Sequence, residues 1–360
     1  MEFAKILLAE AREGMILAED ILDRNGHLVI PNGSPLTRDT IRKIDNYGII
    51  IIKVVKENSI IDDGNESQET AGYYNAIKQT KGFKQISNQF QNSVDALATE
   101  FNNIVLQNKE IQIDRILNNI KKIIDANTTK YSIFEILDCV RGSDDQTFVH
   151  SINVALICGE IGEWLGYSAV QMKKIMAAGI LHDIGKVKIP LNILNKPGKL
   201  TEQEYQIIKY HTVFGYKILK DRPIDTHIKY AALMHHERYD GSGYPRGRKE
   251  TEIDEFARII AIADVYDAMT AKRVYRERMS PFDVIEHFEK EISHFDPKIL
   301  VLFLKKTAQS YVNKTVLLSN GEKAKISLIN NNVLGRPIVI TDTGVIDLSK
   351  RSDIKIKSLL

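Results

Sequence analysis

Five histidines and two aspartates, spread over residues 150–264, are the side chains of this chain best suited to chemistry. They are His150, His182, Asp183, His211, His235, His236 and Asp264. Imidazole nitrogens and carboxylate oxygens bind divalent transition metals in hydrolytic sites. Two metals held ~3.5–4 Å apart clamp the attacking and leaving oxygens of a phosphoryl displacement and lower the pKa of a bound water. The set therefore predicts metal-dependent hydrolysis of a phosphoester.

Helices must position most of these side chains. Residues 170–181 carry apolar side chains at helical spacing, and His182 and Asp183 follow at the end of that pattern. Neighbouring residues on a helix point about 100° apart, so both side chains can face one site from one helix end. His150 is predicted to open a helix. Asp264 lies in an apolar helical stretch, where an unpaired carboxylate would be costly.

The remaining histidines of the set fall at two further helical segments. His211 is expected on a helix that starts near Thr201, where Glu204 completes a capping-box pattern. His235 and His236 end the next apolar run. A single His-Asp pair is a weak pattern by itself, but the whole set has no explanation in helix packing.

Three segments resemble the HD-GYP family, a branch of the HD metal-dependent phosphohydrolase superfamily. They are Leu181–Lys186 (LHDIGK), His235–Pro245 (HHERYDGSGYP) and Ala263–Thr270 (ADVYDAMT). The resemblance covers roughly residues 130–310, and the histidine pair followed by Gly-Tyr-Pro is its most specific part. It implies a mainly α HD-type helical bundle acting in bacterial second-messenger signalling. The implied activity is a phosphodiesterase that hydrolyses cyclic di-GMP to pGpG, with onward cleavage to GMP left open, using a metal-activated water.

The resemblance also implies roles for individual residues. By position, all seven residues of the set would be metal ligands, with iron or manganese as the metals and Asp183 bridging them. Lys186 would neutralise a phosphate oxygen in the transition state. Lys186 could instead be an ordinary surface lysine that follows a helix-ending glycine and has no role in catalysis.

Substrate-binding roles fall on the Gly-Tyr-Pro loop and on a basic segment after Asp264. Tyr244 would stack on a base or hydrogen-bond a phosphate, and this loop is also a candidate site for a protein partner. Arg273 and Arg276, with Lys272 as a weaker candidate, offer cationic groups to a phosphate or a guanine edge. Two solvated surface arginines are the alternative, and Gly241 and Gly243 are open to a purely structural explanation as turn residues.

One position departs from the family pattern. Members with three metals carry a glutamate four residues before the first histidine, whereas Gln146 stands there in this chain. A neutral amide is a poor ligand for a hard cation, so two divalent metals are expected rather than three.

The chain divides by composition into four parts. Residues 1–56 suggest a small α+β domain, and residues 57–126 a polar linker followed by connecting helices. Residues 127–310 hold the catalytic residues in an almost entirely helical pattern, and residues 311–360 suggest a small β subdomain. Apolar residues at spacings of three and four between positions 86 and 123 fit either helices packed on their neighbours or a helix that forms a homodimer.

Local patterns predict several elements of the two terminal parts. Thr37 is expected to cap a helix over residues 38–46, and residues 49–52 are expected to form a strand. Four C-terminal strands are predicted at residues 316–318, 324–329, 337–340 and 345–348.

Composition limits the class of protein. The 360 residues carry a formal net charge of only +2, so no DNA partner is expected, and cyclic di-GMP remains the expected ligand. Cys139 and Cys158 are the only cysteines, which favours a cytoplasmic protein without disulfides. No signal peptide or membrane span is predicted, because no apolar run approaches ~20 residues. Two alternatives stay open: a phosphohydrolase acting on another nucleotide, and a cyclic-dinucleotide sensor with little turnover.

Overall fold

The computed structural model describes residues 3–23, 26–55, 77–127, 131–140, 147–194, 196, 198–271 and 279–360. The described chain is mainly α, with small sheets at its two ends, as the sequence predicts. Within these ranges, no helix is both long enough and apolar enough to span a membrane. The predicted linker at 57–72, Gln146, Lys272, Arg273 and Arg276 all lie outside the described residues.

The N-terminal unit combines two small antiparallel sheets with one helix. Its elements are β1 (Phe3–Leu7), β2 (Ile21–Leu22), β3 (Leu28–Ile30), α1 (Arg38–Asn46) and β4 (Ile51–Val55). Strand β1 pairs with β4, and β2 pairs with β3. Helix α1 is where the sequence predicts it, and the Thr37 side chain accepts a hydrogen bond from the Thr40 amide, 3.2 Å away. The strand predicted at residues 49–52 lies two to three residues further along, because its pairing with β1 sets its limits.

Two antiparallel helices follow, α2 (Lys81–Val105) and α3 (Ile113–Ala126). Their apolar stripes are buried within this chain: Ile86, Phe101 and Ile120, for example, are at most 1% exposed. Helix α2 packs on α3, on β1 and on the helix that carries His150. Packing on neighbours therefore accounts for the stripe, which is the first of the two explanations that the sequence leaves open.

Ten helices of the described chain form the bundle that carries the candidate site. They are α4 (Ile133–Val140), α5 (Thr147–Trp164), α6 (Ala169–Leu181), α7 (Leu191–Leu194), α8 (Glu202–Lys209), α9 (His211–Leu219), α10 (Thr226–Met234), α11 (Glu255–Thr270), α12 (Pro281–Lys290) and α13 (Pro297–Ser310). Helices α5 and α11 and the C-terminal half of α6 bury apolar residues on most of their surface, which places them at the centre of the bundle. A Cβ at Gly179 would lie 2.9 Å from the Ala155 Cα, so glycine is what allows α5 and α6 to approach this closely.

The C-terminal part is a five-stranded antiparallel sheet with the strand order β8-β7-β6-β5-β9. Its strands are β5 (Thr315–Leu318), β6 (Lys323–Leu328), β7 (Ile338–Thr341), β8 (Gly344–Asp347) and β9 (Ile356–Leu359). The four predicted strands are present, each within one residue of its predicted limits. Strand β9 was not predicted, because only two of its four residues are apolar and the polar pair between them interrupts any alternation.

Candidate metal centre

The ends of four helices and the middle of a fifth bring the seven predicted ligands together. His150 lies in the first turn of α5, His182 and Asp183 follow α6, His211 begins α9, His235 and His236 follow α10, and Asp264 lies within α11. Five of the seven are at most 6% exposed. The side chains of Asp264 and His236 are 14% and 22% exposed, so they mark the side of the centre that solvent can reach.

His211 corrects one detail of the sequence prediction. It does not lie on the helix that begins near Thr201, because that helix ends at Lys209 and His211 opens a separate one. In a continuous helix the Ile208 carbonyl would accept from the amide of residue 212. Here it accepts a hydrogen bond from the His211 Nδ1, 2.8 Å away. The break therefore turns the other ring nitrogen of His211 towards the centre.

Asp183 lies between two groups of potential ligands. Its Oδ2 is 3.3 Å from His182 Nε2 and 3.7 Å from His150 Nε2. Its Oδ1 is 3.3 Å from His211 Nε2 and 3.8 Å from His235 Nε2. Each carboxylate oxygen thus faces a different pair of imidazoles, which is the arrangement that a bridging carboxylate requires.

Each of the two groups could hold one cation. In the first, His150, His182 and Asp264 offer ligand atoms within 4.8 Å of one another, and His211, His235 and His236 do the same in the second. Within the first group, His150 Nε2 lies 3.2 Å from Asp264 Oδ1, and across to the second group His236 Nδ1 lies 4.0 Å from Asp264 Oδ2. Asp264 can therefore also face both groups.

The ring orientations are fixed from outside the centre. Nδ1 of His182 donates to the Gly179 carbonyl at 2.6 Å, and Nδ1 of His235 donates to the Ala231 carbonyl at 3.1 Å. With Nδ1 acting as the donor, Nε2 is left with a lone pair that points inward. This is the tautomer that metal-binding histidines adopt when their second nitrogen is held by the protein.

The donor atoms fit divalent cations. His182 Nε2 and Asp183 Oδ1 are buried and have no hydrogen-bond partner. His211 Nε2 and His235 Nε2 lie 3.2 Å apart, although both rings donate through Nδ1 and therefore direct lone pairs at each other. Such an approach is unfavourable between neutral rings, and a cation bound by both nitrogens removes the cost.

The charge states of the centre suit the same role. Burial would raise the pKa of Asp183, but Lys186 and the surrounding histidines outweigh burial and hold this pKa well below its ordinary value. Burial, together with neighbouring histidines, lowers the pKa of His235 well below its usual range. Burial also lowers the pKa of His236 to about 3. At neutral pH the carboxylate is therefore ionised and these rings are neutral, as ligands must be.

His150 behaves differently from the other rings. Burial would lower its pKa, but its hydrogen bonds with Asp264 and Asp267 outweigh burial and raise the pKa to about 10. The ring is therefore protonated at neutral pH before a cation binds, and its Nε2 proton competes with the cation.

Cation binding is expected to release about one proton per chain near pH 7.5, because His150 Nε2 must lose its proton to become a ligand. The pKa of this ring is raised, so the proton is held below about pH 10 and affinity should increase as the pH rises from neutrality towards that value. Titration calorimetry of Mn²⁺ binding, in buffers of different ionisation enthalpy, counts the protons. Binding without proton release would contradict this role of His150.

Lys186 lies beside the predicted bridging residue. Its Nζ is 2.6 Å from Asp183 Oδ2, and its side chain is 28% exposed, against 2% for Asp183. The turn that carries it packs tightly on α9, since a Cβ at Gly185 would lie 1.9 Å from the His211 carbonyl oxygen. The positively charged side chain of Lys186 therefore lies between the buried carboxylate and solvent. It is not an ordinary surface lysine.

The Gly-Tyr-Pro loop is anchored by a buried acid that the sequence argument did not identify. Glu237 is 2% exposed and accepts hydrogen bonds from the amides of Arg246, at 2.8 Å, and Arg248, at 3.0 Å. Gly241 has a φ of +85°, and a Cβ at Gly243 would lie 2.3 Å from a backbone nitrogen. Both glycines are thus required by the turn itself.

The same loop places Tyr244 against the centre. Its ring stacks on the His236 ring, with centroids 4.7 Å apart and an angle of 27° between the planes. The Tyr244 amide donates to the His236 carbonyl at 3.1 Å. Burial raises the pKa of the Tyr244 hydroxyl, which therefore stays a neutral hydrogen-bond donor.

Asp267 was also missed by sequence reasoning. It is 1% exposed, accepts from His150 Nδ1 at 2.8 Å, and accepts from Asn153 Nδ2 at 3.0 Å. It lies three residues after Asp264 on α11, so it shares that residue's helix face. Asp267 is also a carboxylate in an apolar helix, so the same sequence pattern that indicates Asp264 could have identified it.

Comparison with known proteins places the centre in a family. Residues 114–299 match the HD domain family. A cyclic di-GMP phosphodiesterase of Thermotoga maritima is 39% identical over 52% of this chain and 53% of its own length. One of Pseudomonas aeruginosa is 36% identical, over 51% and 44%. A 3′3′-cGAMP-specific phosphodiesterase of Vibrio cholerae is 37% identical, over 52% and 36%.

These relatives are matched over about half of their length or less. The family match itself spans more than half of the present chain and includes all seven predicted ligands. The chain therefore belongs to the HD domain family.

Proposed function

We propose that this protein is an HD-GYP phosphodiesterase that hydrolyses cyclic di-GMP at a centre of two divalent cations. The observation that carries the proposal is the position of Asp183, whose two oxygens face two different groups of histidines. The names of the Thermotoga and Pseudomonas relatives support the substrate. The proposed ligands are His150, His182, Asp183, His211, His235, His236 and Asp264.

The protein's own residues would prepare the site and hold the substrate. Bound divalent cations supply a more acidic water and take up charge on the phosphoryl oxygens. Lys186, exposed on one side and paired with Asp183 on the other, would add its positive charge to that of the centre and contact a phosphoryl oxygen. Tyr244 would offer its neutral hydroxyl to the substrate from the other side of the centre.

The hydrogen bonds to the outer ring nitrogens contribute by keeping the ligands in place. Because the rings of His150, His182, His211 and His235 are held in this way before cations bind, little reorganisation would be needed when charge develops on the phosphoryl group. Arg273 and Arg276 are proposed to bind the dinucleotide as well, on the strength of their sequence positions alone.

Two cations are proposed rather than three, because the described ligands form two groups around Asp183 and Gln146 replaces the glutamate expected of a third site. Iron and manganese are the proposed metals, since both accept mixed nitrogen and oxygen ligands. With two cations, pGpG is the proposed product.

The wider features of the protein belong to the same proposal. The catalytic domain is proposed to span residues 127–310, between an N-terminal domain at 1–56 with its connecting segment at 57–126 and a β subdomain at 311–360. A cytoplasmic location is proposed because the chain has only two cysteines, Cys139 and Cys158, and both are buried, which suits a reducing compartment. Homodimer formation, and a protein partner at the Gly-Tyr-Pro loop, stay predictions.

A second substrate is favoured by one observation. A relative named as specific for 3′3′-cGAMP is 37% identical to this chain, between the 39% and 36% of the two cyclic di-GMP phosphodiesterases. Turnover of cyclic di-GMP, 3′3′-cGAMP and bis(p-nitrophenyl) phosphate by anaerobically purified protein separates the alternatives. We expect kcat/KM to be at least about 10-fold higher for cyclic di-GMP than for 3′3′-cGAMP, a difference of ~1.4 kcal/mol. The reverse order would replace the proposed substrate, and binding without turnover of any of them would favour a sensor.

A further inference from the structure

Two tyrosines and a lysine form a cluster at the rim of the metal centre. We name the set of Tyr205, Lys209 and Tyr244 the rim cluster. The Lys209 ammonium nitrogen lies 4.6 Å from the centroid of the Tyr205 ring and 5.4 Å from that of the Tyr244 ring. Tyr205 and Lys209 belong to α8, and Tyr244 belongs to the Gly-Tyr-Pro loop, so the lysine bridges two elements.

The ammonium group of Lys209 contacts two aromatic rings but is not paired with a carboxylate of the described residues. Among the described residues, no carboxylate lies within ion-pair distance of its Nζ. The two aromatic rings attract the ammonium group through their π-faces, which is a weaker interaction than an ion pair and leaves the group able to donate hydrogen bonds. Lys196, on the same side of the bundle, is by contrast paired with Glu204 at 2.6 Å.

The rim cluster is connected directly to the ligands. The Tyr244 ring stacks on His236, and Lys209 stands two residues before His211. Both histidines belong to the second group of ligands. Lys186 approaches the Oδ2 side of Asp183, whereas the second group faces Oδ1. Two positively charged side chains therefore lie on different sides of the centre.

A cyclic dinucleotide has two phosphodiesters, of which only one can be attacked at a time. We propose that Lys209, positioned by the rings of Tyr205 and Tyr244, binds the phosphodiester that is not being cleaved. The inference rests on the proposed function, because it takes the substrate to be a dinucleotide. An ammonium group is a compact, strongly hydrated cation, and it suits a phosphate oxygen exposed at the rim.

The variant Lys209→Met tests the proposal, because it keeps the length of the side chain and removes its charge. Lys217→Met is the matched control, since Lys217 is exposed on the neighbouring helix α9. We expect KM for cyclic di-GMP to rise by about 10- to 100-fold, the usual effect of losing a hydrogen bond from a charged group. We expect kcat and bound metal to stay within about 2-fold, and Lys209→Arg to restore most of the affinity.

A substrate with a single phosphodiester makes the test specific. KM for bis(p-nitrophenyl) phosphate should be the same in Lys209→Met as in the parent protein, because this ester has no second phosphate. An equal rise for both substrates would show that Lys209 acts on the centre as a whole and would overturn the proposal, as would an unchanged KM for cyclic di-GMP or a loss of metal.

The proposed function and the proposed role of Lys209 can be tested separately. If the parent protein binds cyclic di-GMP without cleaving it, the function is wrong. Titration calorimetry of cyclic di-GMP into the metal-loaded protein then still decides the role of Lys209. Weaker binding in Lys209→Met, with normal binding in Lys217→Met, supports that role, and equal binding in both variants refutes it.

Discussion

Asp183→Ala is expected to lose more than about 100-fold in turnover of cyclic di-GMP and to bind substantially less metal than the parent protein. Asp183 is the residue whose two oxygens face both groups of histidines. Removing a residue that only orients a metal ligand already costs ~10–100-fold in metal affinity or activity, so removing the proposed bridging ligand should cost more. Metal analysis after anaerobic purification and assays of product release measure the two effects.

Two further variants make the result for Asp183 interpretable. Asp221→Ala removes a carboxylate that is 85% exposed and should change neither metal content nor turnover. Asp183→Asn keeps the size of the side chain and should behave like the alanine variant, which guards against loss of folding as the cause. Normal metal content in a folded Asp183→Asn protein would contradict the bridging role.

Asp267→Asn is expected to weaken metal binding by about 10- to 100-fold without removing a ligand. Asp267 accepts the Nδ1 hydrogen of His150 and, with Asp264, raises the pKa of that ring. An amide can hydrogen-bond to the ring but carries no charge, so the pKa of His150 should fall. Fewer protons should therefore be released when Mn²⁺ binds near neutral pH.

The number of protons released when Mn²⁺ binds distinguishes an effect of Asp267 on His150 from a general structural effect of the substitution. Glu255→Gln, an exposed residue at the start of the same helix α11, serves as the control and should leave affinity and proton release unchanged. A variant of Asp267 with parental metal affinity and parental proton release would show that this carboxylate does not act through His150.

The candidate ligands could be identified from the sequence because their residue types are rare and their patterns are local. Histidine pairs and His-Asp neighbours at the ends of apolar helical patterns are seldom explained by packing, and the structure brings His150, His182, His211 and Asp264 into one centre. What the pattern could not predict is how each ring is turned. The break before His211 depends on which group the Ile208 carbonyl accepts from, and helical periodicity does not reveal that choice.

Residues that act from outside the ligand set were harder to find. Asp267 was not selected although it shares a helix face with Asp264, and Glu237 acts only on the backbone of the loop. Lys209 and Tyr205 become noticeable only when α8 and the Gly-Tyr-Pro loop meet, since nothing in their own segment distinguishes them from a solvated helix face.

The secondary-structure predictions were accurate where local interactions set the limits of an element and inaccurate where distant interactions did. Helix α1 was predicted with its observed limits because a local cap, Thr37, fixes its start. Strands β1 and β9 were missed, and β4 was displaced, because the pairing of a strand with a distant partner decides where it begins and ends.

The product time course of the metal-loaded protein with cyclic di-GMP tests the hydrolytic centre around Asp183 most directly. We expect linear pGpG to appear at a rate proportional to bound metal, with the metal approaching two cations per chain, and we expect Asp183→Asn to form none above background. Cyclic di-GMP that binds to the fully loaded protein and is recovered intact would contradict this expectation.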